Sequence, residues 1–465
     1  MDIQVAILPP GEQLLTNKTA VFEITIPELN VRQYLHLPFD EFHRFFNAPE
    51  GIEADLLVVA GIVYVVDQLV SRNYFPDNWT RDLSLAIPVQ DPTLWGSVSE
   101  LLADALQFLT GDSWQFDFSS RDGAIYHGRE RQLRVKHLYP ASTACLFSGG
   151  LDSLVGAIDL LEEQDAPVTL VSHYDLGSTA RRAQKLLVNL LEQQFPWRIN
   201  LVQARVGTMP YVAESQGVAG KVQKPQIRET TFRSRSVVFL ALGLYTASQH
   251  NTQERIIPLL VPENGFIALN PPLTDARMGS CSTKTTHPIF LDKFQNVVRQ
   301  LGILNKIRNP LVTRSKGEVL TQTLNETLVR ELAPYSISCA HPTRRKGWYR
   351  RDVSHCGYCV PCLIRRASLH QVGLDQGTDY GFDVWGGELG IKEDIAVDFR
   401  AILGWVYDAL YNGRSVQSIV KKMNLPGPAR DSALQVIQSG FDEMIQIMSE
   451  KAEDHIKQWA GLERL

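Results

Sequence analysis

Ala144-Cys145-Leu146-Phe147-Ser148-Gly149-Gly150-Leu151-Asp152-Ser153-Leu154 is the stretch on which the reading of this chain turns. Four apolar residues predict a strand, Ser-Gly-Gly makes a turn, and residues 153–163 predict a helix. A strand, a small-residue loop and a helix aim backbone N–H groups and the helix dipole at an anion. The glycines allow an approach that a Cβ would block, and Ser148 and Ser153 add hydroxyl donors. A Walker A loop would carry a lysine before its Ser/Thr, and that lysine is absent here. The plainer alternative is an ordinary tight turn between strand and helix.

Working outward, residues 168–171, 199–202 and 256–261 predict further strands, and 179–195 and 236–248 predict helices. Strands separated by helices imply a parallel, Rossmann-like sheet. Upstream, 22–26, 83–87 and 114–118 alternate like half-buried strands, with helical stretches at 52–71 and 97–109, an α+β pattern. Downstream of Gly386-Gly387 the pattern is helical, with Phe399, Ile402, Leu403, Val406 and Leu410 on one face, and Pro426-Gly427-Pro428 breaks it in two. The expected organisation is an N-terminal α+β domain (1–138), a nucleotide-binding α/β domain (139–338), a cysteine-bearing lobe (339–370) and a C-terminal helical extension (371–465).

The 465 residues carry 46 basic and 51 acidic side chains, a net charge of −5. That balance argues against a sequence-indifferent nucleic-acid coat, which depends on neutralising phosphates. An apolar content of 44% with 21% charged residues speaks against a disordered or fibrous chain. Met1-Asp2-Ile3-Gln4 lacks the basic start of a secretory signal, and the apolar run 56–66 falls short of the roughly 20 residues of a membrane span. A cytoplasmic protein without a membrane partner is expected, its six cysteines reduced or bound to metal.

Cys356-Gly357-Tyr358-Cys359-Val360-Pro361-Cys362 holds two overlapping C-x-x-C spacings, and sixteen residues separate Cys339 from Cys356. Four thiols so arranged suit tetrahedral Zn²⁺, closed to substrate and therefore structural. His355 is the alternative fourth ligand. Cys145 reads as a small core residue, and Cys281 is left over. Between the outer cysteines, Arg344, Arg345, Lys346, Arg350 and Arg351 stand against Asp352, with Trp348 and Tyr349 among them. They read as a solvated face of the metal lobe, or else as a base-stacking surface for nucleic acid. Residues 214–224 read as a surface loop, or as a mobile cover over the site.

Ser148-Gly149-Gly150-Leu151-Asp152-Ser153 resembles the pyrophosphatase loop of the PP-loop ATPases, which cleave ATP between its α and β phosphates. The resemblance implies that Phe147 and residues 148–153 bind ATP and grip the departing pyrophosphate. Mg²⁺ would offset charge there, with Asp152 near the metal; capping the following helix is the other role for Asp152. The loop followed by C…C-G-x-C-x-x-C-x-x-R resembles the 7-cyano-7-deazaguanine synthases, or QueC family, over roughly residues 140–370. Arg235-Ser236-Val237-Val238-Phe239-Leu240 looks like that family's R-N-x-x-F-L helix start, and Lys316-Gly317-Glu318 like its K-x-E helix. Glu263 stands where the family carries an acidic substrate contact, and Tyr174 where it reads Y-G-Q-R. The resemblance thus implies Ser148, Asp152, Ser153, Arg235 and Lys316 as catalytic residues, Tyr174 and Arg235 as further ATP contacts, and Glu263 as a substrate residue. It also implies ATP phosphates as a third reading of the basic stretch between the cysteines.

Ser236 replaces the family Asn, and Asp175-Leu176-Gly177 replaces Gly-Gln-Arg, so the adenylating half is retained while the acceptor half differs. The flanking regions resemble the QueC-like component of Qat-type anti-phage islands, as does the wording of 58–67, Arg81-Asp82-Leu83 and Ile87-Pro88-Val89. That branch implies ATP-dependent activation of a 7-deazaguanine carboxylate, with amide formation on an amine of a partner protein from the same defence system. The rival expectations are free 7-cyano-7-deazaguanine made from ammonia, a non-catalytic nucleotide or nucleic-acid sensor, and a tRNA-modifying PP-loop enzyme.

Overall fold

The computed structural model describes residues 1–8, 14–15, 19–20, 22–42, 45–46, 50–121, 125, 138–175, 179–209, 225–227, 229, 233–272, 284–341, 351–423 and 425–464. In chain order the strands are β1 (Asp2–Ile7), β2 (Leu14–Leu15), β3 (Thr19–Ala20), β4 (Phe22–Ile26), β5 (Val31–His36), β6 (Asp82–Val89), β7 (Ser113–Ser120), β8 (Thr143–Leu146), β9 (Val168–His173), β10 (Ile199–Ala204), β11 (Gly207–Thr208), β12 (Leu259–Leu260) and β13 (Ile307–Arg308). The helices are α1 (Phe39–Phe42), α2 (Ile52–Leu69), α3 (Pro92–Thr110), α4 (Leu151–Glu163), α5 (Thr179–Gln194), α6 (Arg235–Ser248), α7 (Gly265–Leu269), α8 (Pro288–Gln300), α9 (Lys316–Thr321), α10 (Glu326–Leu332), α11 (Val360–Gln371), α12 (Val397–Tyr411), α13 (Val416–Lys422), α14 (Gly427–Lys451) and α15 (Asp454–Ala460).

The stretch around residue 148 becomes the centre of a five-stranded parallel sheet ordered β10-β9-β8-β12-β13. Every residue of β8 and β9 is buried, as expected of strands covered on both faces. Cys145, Phe147 and Leu170 pack with α4 and α5, while Ala144, Leu146 and Val171 pack with α6. The chain builds outward from β8 in one direction and then, from β12, in the other. Between them lies the switch point, where crevices form at the carboxyl ends of such sheets. The strand expected over 256–261 shortens to β12, because Pro258 and Pro262 bracket it and neither supplies an amide donor.

The N-terminal sheet runs β11-β5-β4-β1-β6-β7, parallel across β1, β6 and β7 and antiparallel elsewhere. Its β11 follows β10 of the first sheet, and α2 packs along α6, so one buried cluster contains Ile24, Val59, Leu85, Leu240 and Phe294 alike. The middle of α2, residues 56–66, is apolar on all sides because all sides are covered. A second cluster joins Cys356, Cys359 and Cys362 to Trp385 and to Phe399, Trp405, Ile437 and Met448 of the C-terminal helices. Trp405 is core, against Phe441 at 4.8 Å between ring centres, whereas Trp459 is half exposed. Among the described residues no helix is long and apolar enough to cross a membrane.

The carboxylates that bound the apolar run are themselves buried partners. Asp55 accepts from the Gln90 N–H at 2.7 Å and Arg121 Nε at 3.1 Å. Asp67, fully buried, binds Arg81 Nη2 at 2.5 Å, and Arg81 and Arg72 both bind Asp112, at 2.5 and 2.7 Å. The other oxygen of Asp67 accepts the Ser234 N–H at 2.8 Å and its hydroxyl at 2.7 Å, immediately ahead of Arg235. Removing one member of such a network strands a buried charge. Asp67→Ala is therefore expected to destabilise the protein by about 3–5 kcal/mol, measured by urea unfolding, with Asp55→Ala at the more peripheral pair costing less.

Candidate active site

Phe147 directly follows β8, its N–H bonded to Val171 O at 2.7 Å and its carbonyl accepting Ser172 Oγ at 2.6 Å. The turn beyond it needs glycine. Gly149 sits at φ +81°, where an L side chain is strained, and a Cβ would press on Gln184 Cγ at 3.1 Å. Ser148 is exposed; its Oγ accepts the Gly150 N–H at 3.2 Å and lies 3.1 Å from Ser153 Oγ, which also donates to Gly150 O at 3.0 Å. Gln184 Nε2 braces the turn from α5, donating to Ser148 O at 3.1 Å and His173 O at 3.2 Å. Gly150 then opens α4, whose first turn contains Leu151, Asp152 and Ser153.

Asp152 points inward rather than capping the helix, and it is 6% exposed. Its Oδ2 accepts from Lys316 Nζ, 2% exposed, and from Asn264 Nδ2 at 3.1 Å. Asn264 follows β12 and caps α7 with its other atom, Oδ1 accepting the Ile267 N–H at 3.0 Å. Glu263 lies beside them, 3.4 Å from Asn264 Nδ2, its backbone held by Asn309. Burial raises the Asp152 carboxyl, but the Lys316 ammonium and the hydrogen bonds from Glu263 and Asn264 hold it below its ordinary value. Glu263 is pushed the opposite way, well up, by burial and the Asp152 charge. Burial and neighbouring charge thus drive the two adjacent carboxyls in opposite directions. Two adjacent oxygen donors of this kind could hold a hard cation.

A second group forms where β9 ends. Tyr174 is buried beneath the Arg181 guanidinium, 4.4 Å above its ring. Arg235, at the start of α6, pairs with Asp175 at 3.2 Å, and Tyr64 of α2 donates to the other oxygen of Asp175 at 3.3 Å. His173 beneath them is pushed down to about 4 by burial, with Arg235 adding to the fall, and stays neutral. The structure therefore brings Asp152, Glu263 and Lys316 into contact, and sets Tyr174 and Arg235 in a neighbouring group with Asp175 and Tyr64.

The thiols of Cys339, Cys356, Cys359 and Cys362 lie within 4.8 Å of one another and can hold a metal ion. Sγ separations of 4.0 Å (Cys339–Cys359) and 3.8 Å (Cys356–Cys362) match the edge of about 3.8 Å that four sulfurs at about 2.3 Å from Zn²⁺ would make. Gly357 is obligatory in this knuckle: φ is +89°, and a Cβ would lie 2.1 Å from Phe382 O. His355 stands outside the cluster, its Nε2 accepting the Ser338 N–H at 3.3 Å. Cys145 is core, its thiol pushed up to about 12 by burial.

The lobe reaches the glycine turn. The Ile337 N–H donates to Gly149 O at 2.8 Å, and Ser338 Oγ accepts the Leu151 N–H at 3.3 Å, one residue before Cys339. Arg365, on the same helix as Cys362, anchors this segment through Ser336 Oγ and Ala333 O, each at 2.8 Å. Sequence reasoning missed Asn264, Ser338 and Gln184. An Asn directly after Glu263 was the only trace of the first, and nothing local marked the others. Cys281, residues 214–224, and Arg344, Arg345, Lys346, Trp348, Tyr349 and Arg350 lie outside the described residues. Arg351 pairs with Glu388 at 2.6 Å.

Purified chain is expected to carry about one zinc per molecule by elemental analysis. Cys359→Ser should lose it and lower the thermal midpoint, with hydrogen exchange rising at Leu151 as well as in the lobe. Protection at Leu151 that survives loss of the metal would break the proposed link.

No family model matches the chain, and no solved structure matches it significantly. It is 24% identical over 249 residues to the 7-cyano-7-deazaguanine synthase of Methanococcus aeolicus, covering 51% of this chain and 97% of that protein. The protein of the same name from Methanococcus maripaludis is 23% identical over 249 residues, with the same coverage. That from Methanocaldococcus jannaschii is 33% identical over 95 residues, 20% of this chain and 38% of that one. Across half its length, and nearly the whole of the Methanococcus proteins, this chain is similar to 7-cyano-7-deazaguanine synthases.

Proposed function

We propose that the chain is an ATP-dependent, AMP-forming enzyme of the QueC type that activates a 7-deazaguanine carboxylate and passes it to an amine of a partner protein in anti-phage defence. The observation that supports this most is the meeting of the loop 147–153 with Glu263 and Lys316 at the switch point of a parallel sheet. The similarity to named 7-cyano-7-deazaguanine synthases supports the substrate class. The N-terminal sheet and C-terminal helices, additional to the 140–370 stretch, support the defence branch.

In this reading the N-terminus of α4 and the hydroxyls of Ser148 and Ser153 hold the β and γ phosphates. A carboxylate oxygen of the substrate attacks the α-phosphorus, the bond to the β-phosphate oxygen breaks, and pyrophosphate leaves into the loop. Bound Mg²⁺ supplies charge neutralisation for that group, and Asp152 and Glu263 are the residues that would hold it. Tyr174 and Arg235 orient the nucleotide from the neighbouring strand. An amine nitrogen then attacks the acyl carbon, AMP departs with the C–O electron pair, and the amine proton passes to water. A primary amide from ammonia can be activated again and dehydrated to a nitrile. A secondary amide on a protein N-terminus cannot do so without losing the partner, so conjugation ends there.

The activity named for the relatives favours a second reading, in which ammonia is the acceptor and the nitrile is released. ATP–pyrophosphate exchange dependent on 7-carboxy-7-deazaguanine tests the shared step. Ser148→Ala and Asp152→Asn are expected to lower it about 100-fold or more, and its absence from the wild type would leave a nucleotide sensor. Intact-mass spectrometry of proteins encoded beside the gene then separates the acceptors. A deazaguanine acyl adduct supports conjugation, while free nitrile with no adduct favours the synthase.

A further inference from the structure

Helix α14 places a carboxylate on the backbone that carries Lys316. Glu443, 8% exposed, accepts the Gly317 N–H through both oxygens at 3.1 Å and also accepts from Ser315 Oγ. One turn earlier on α14, Ser439 Oγ donates to Glu318 Oε1 at 3.0 Å, while Glu318 Oε2 accepts the Ser315 N–H at 2.7 Å. Residues 315, 317 and 318 are thus all gripped from the C-terminal helices or through the cap they complete. The fit leaves no room at position 317, where a Cβ would come within 2.5 Å of Glu443 Cδ. The middle residue of the K-x-E pattern is glycine here for that reason.

Helix α9 has six residues, too few to hold its own first turn without outside contacts. Lys316 is its first residue, and the buried ammonium reaches Asp152 from there. We propose that Glu443 is a positioning residue which, through the first turn of α9, keeps Lys316 on Asp152, so that the C-terminal helices complete the ATP site. This rests on reading Lys316 and Asp152 as part of that site. Burial, with the Glu318 charge adding to it, pushes the Glu443 carboxyl up to about 7, so glutamine reproduces the shape of a form populated at neutral pH.

The test uses the full chain as wild type, Glu443→Ala, Glu443→Gln, Lys316→Ala and the double variant Lys316→Ala/Glu443→Ala. Acylation by acetic anhydride with peptide mass mapping needs no enzymatic activity. Lys316 is expected to be protected in the wild type and in Glu443→Gln, and modified about tenfold faster or more in Glu443→Ala, with exposed Lys392 as reference. Unchanged Lys316 labelling overturns the proposal. If Glu443→Ala does not fold, Gly317→Ala, which favours helix but displaces the carboxyl, must give the same exposure. In ATP–pyrophosphate exchange, Glu443→Ala should lower kcat about 10- to 100-fold, change KM for ATP less, and add nothing to Lys316→Ala. Additive losses overturn the proposal. A wild type without exchange counts against the function proposed above, while the labelling still decides the place of Glu443.

Discussion

Two hydrogen bonds hold the glycine turn to the segment that enters the metal lobe: Ile337 N–H on Gly149 O, and Leu151 N–H on Ser338 Oγ. A Ser-Gly-Gly turn has more backbone freedom than any other part of the site, so without outside contacts it would sample many shapes. The contacts come from Gln184 on α5 and from the segment that leads into the lobe. Its cysteines position α11, Arg365 on that helix fastens residues 333 and 336, and residues 337 and 338 then meet the turn. A metal ion held by the four thiols would act on the glycine turn through backbone geometry alone.

Buried charge sets the rest of the design. Asp152, Lys316 and Glu263 form a buried group in which the Asp152 carboxyl is held down and the Glu263 carboxyl pushed up, an arrangement that suits an incoming cation. On the N-terminal side, Asp67, Arg72, Arg81 and Asp112 form a second buried network. Its reach to Ser234 sets the start of α6, and hence Arg235 and its pair with Asp175. Tyr64 adds to that pair from α2. Both flanking regions therefore touch the site: the N-terminal sheet through α2 and α6, and the C-terminal helices through Glu443 and α9.

Much of the architecture was legible before any coordinates. The strands at 144–147 and 168–171 and the helices at 153–163 and 179–195 lie within one or two residues of β8, β9, α4 and α5, because long periodic runs report burial directly. Strand β1 and helix α8 were passed over, and α9 was expected only through the resemblance of Lys316-Gly317-Glu318 to the K-x-E helix. Residues 2–7 are a short run whose exposed and buried positions alternate, and α9 is a turn and a half whose first turn is held from α14. Asp152 carried two readings, a place near Mg²⁺ or a cap on the following helix; it makes no cap bond, and its partners Lys316 and Asn264 arrive from more than a hundred residues away.

Composition, periodicity and the cysteine spacing were enough for the α/β class, the strand-turn-helix at 148–153 and a four-thiol cluster able to hold a metal, since each of these is specified by neighbours along the chain. Nothing short-range could name Asn264, Ser338 or Glu443. Each is an ordinary polar residue in its own segment, and each gains its role from a partner that the packing of sheet, lobe and helices brings across 112, 187 and 126 positions. Hydrogen bonds between such distant residues leave no periodic trace, because their geometry exists only after the hydrophobic clusters have closed.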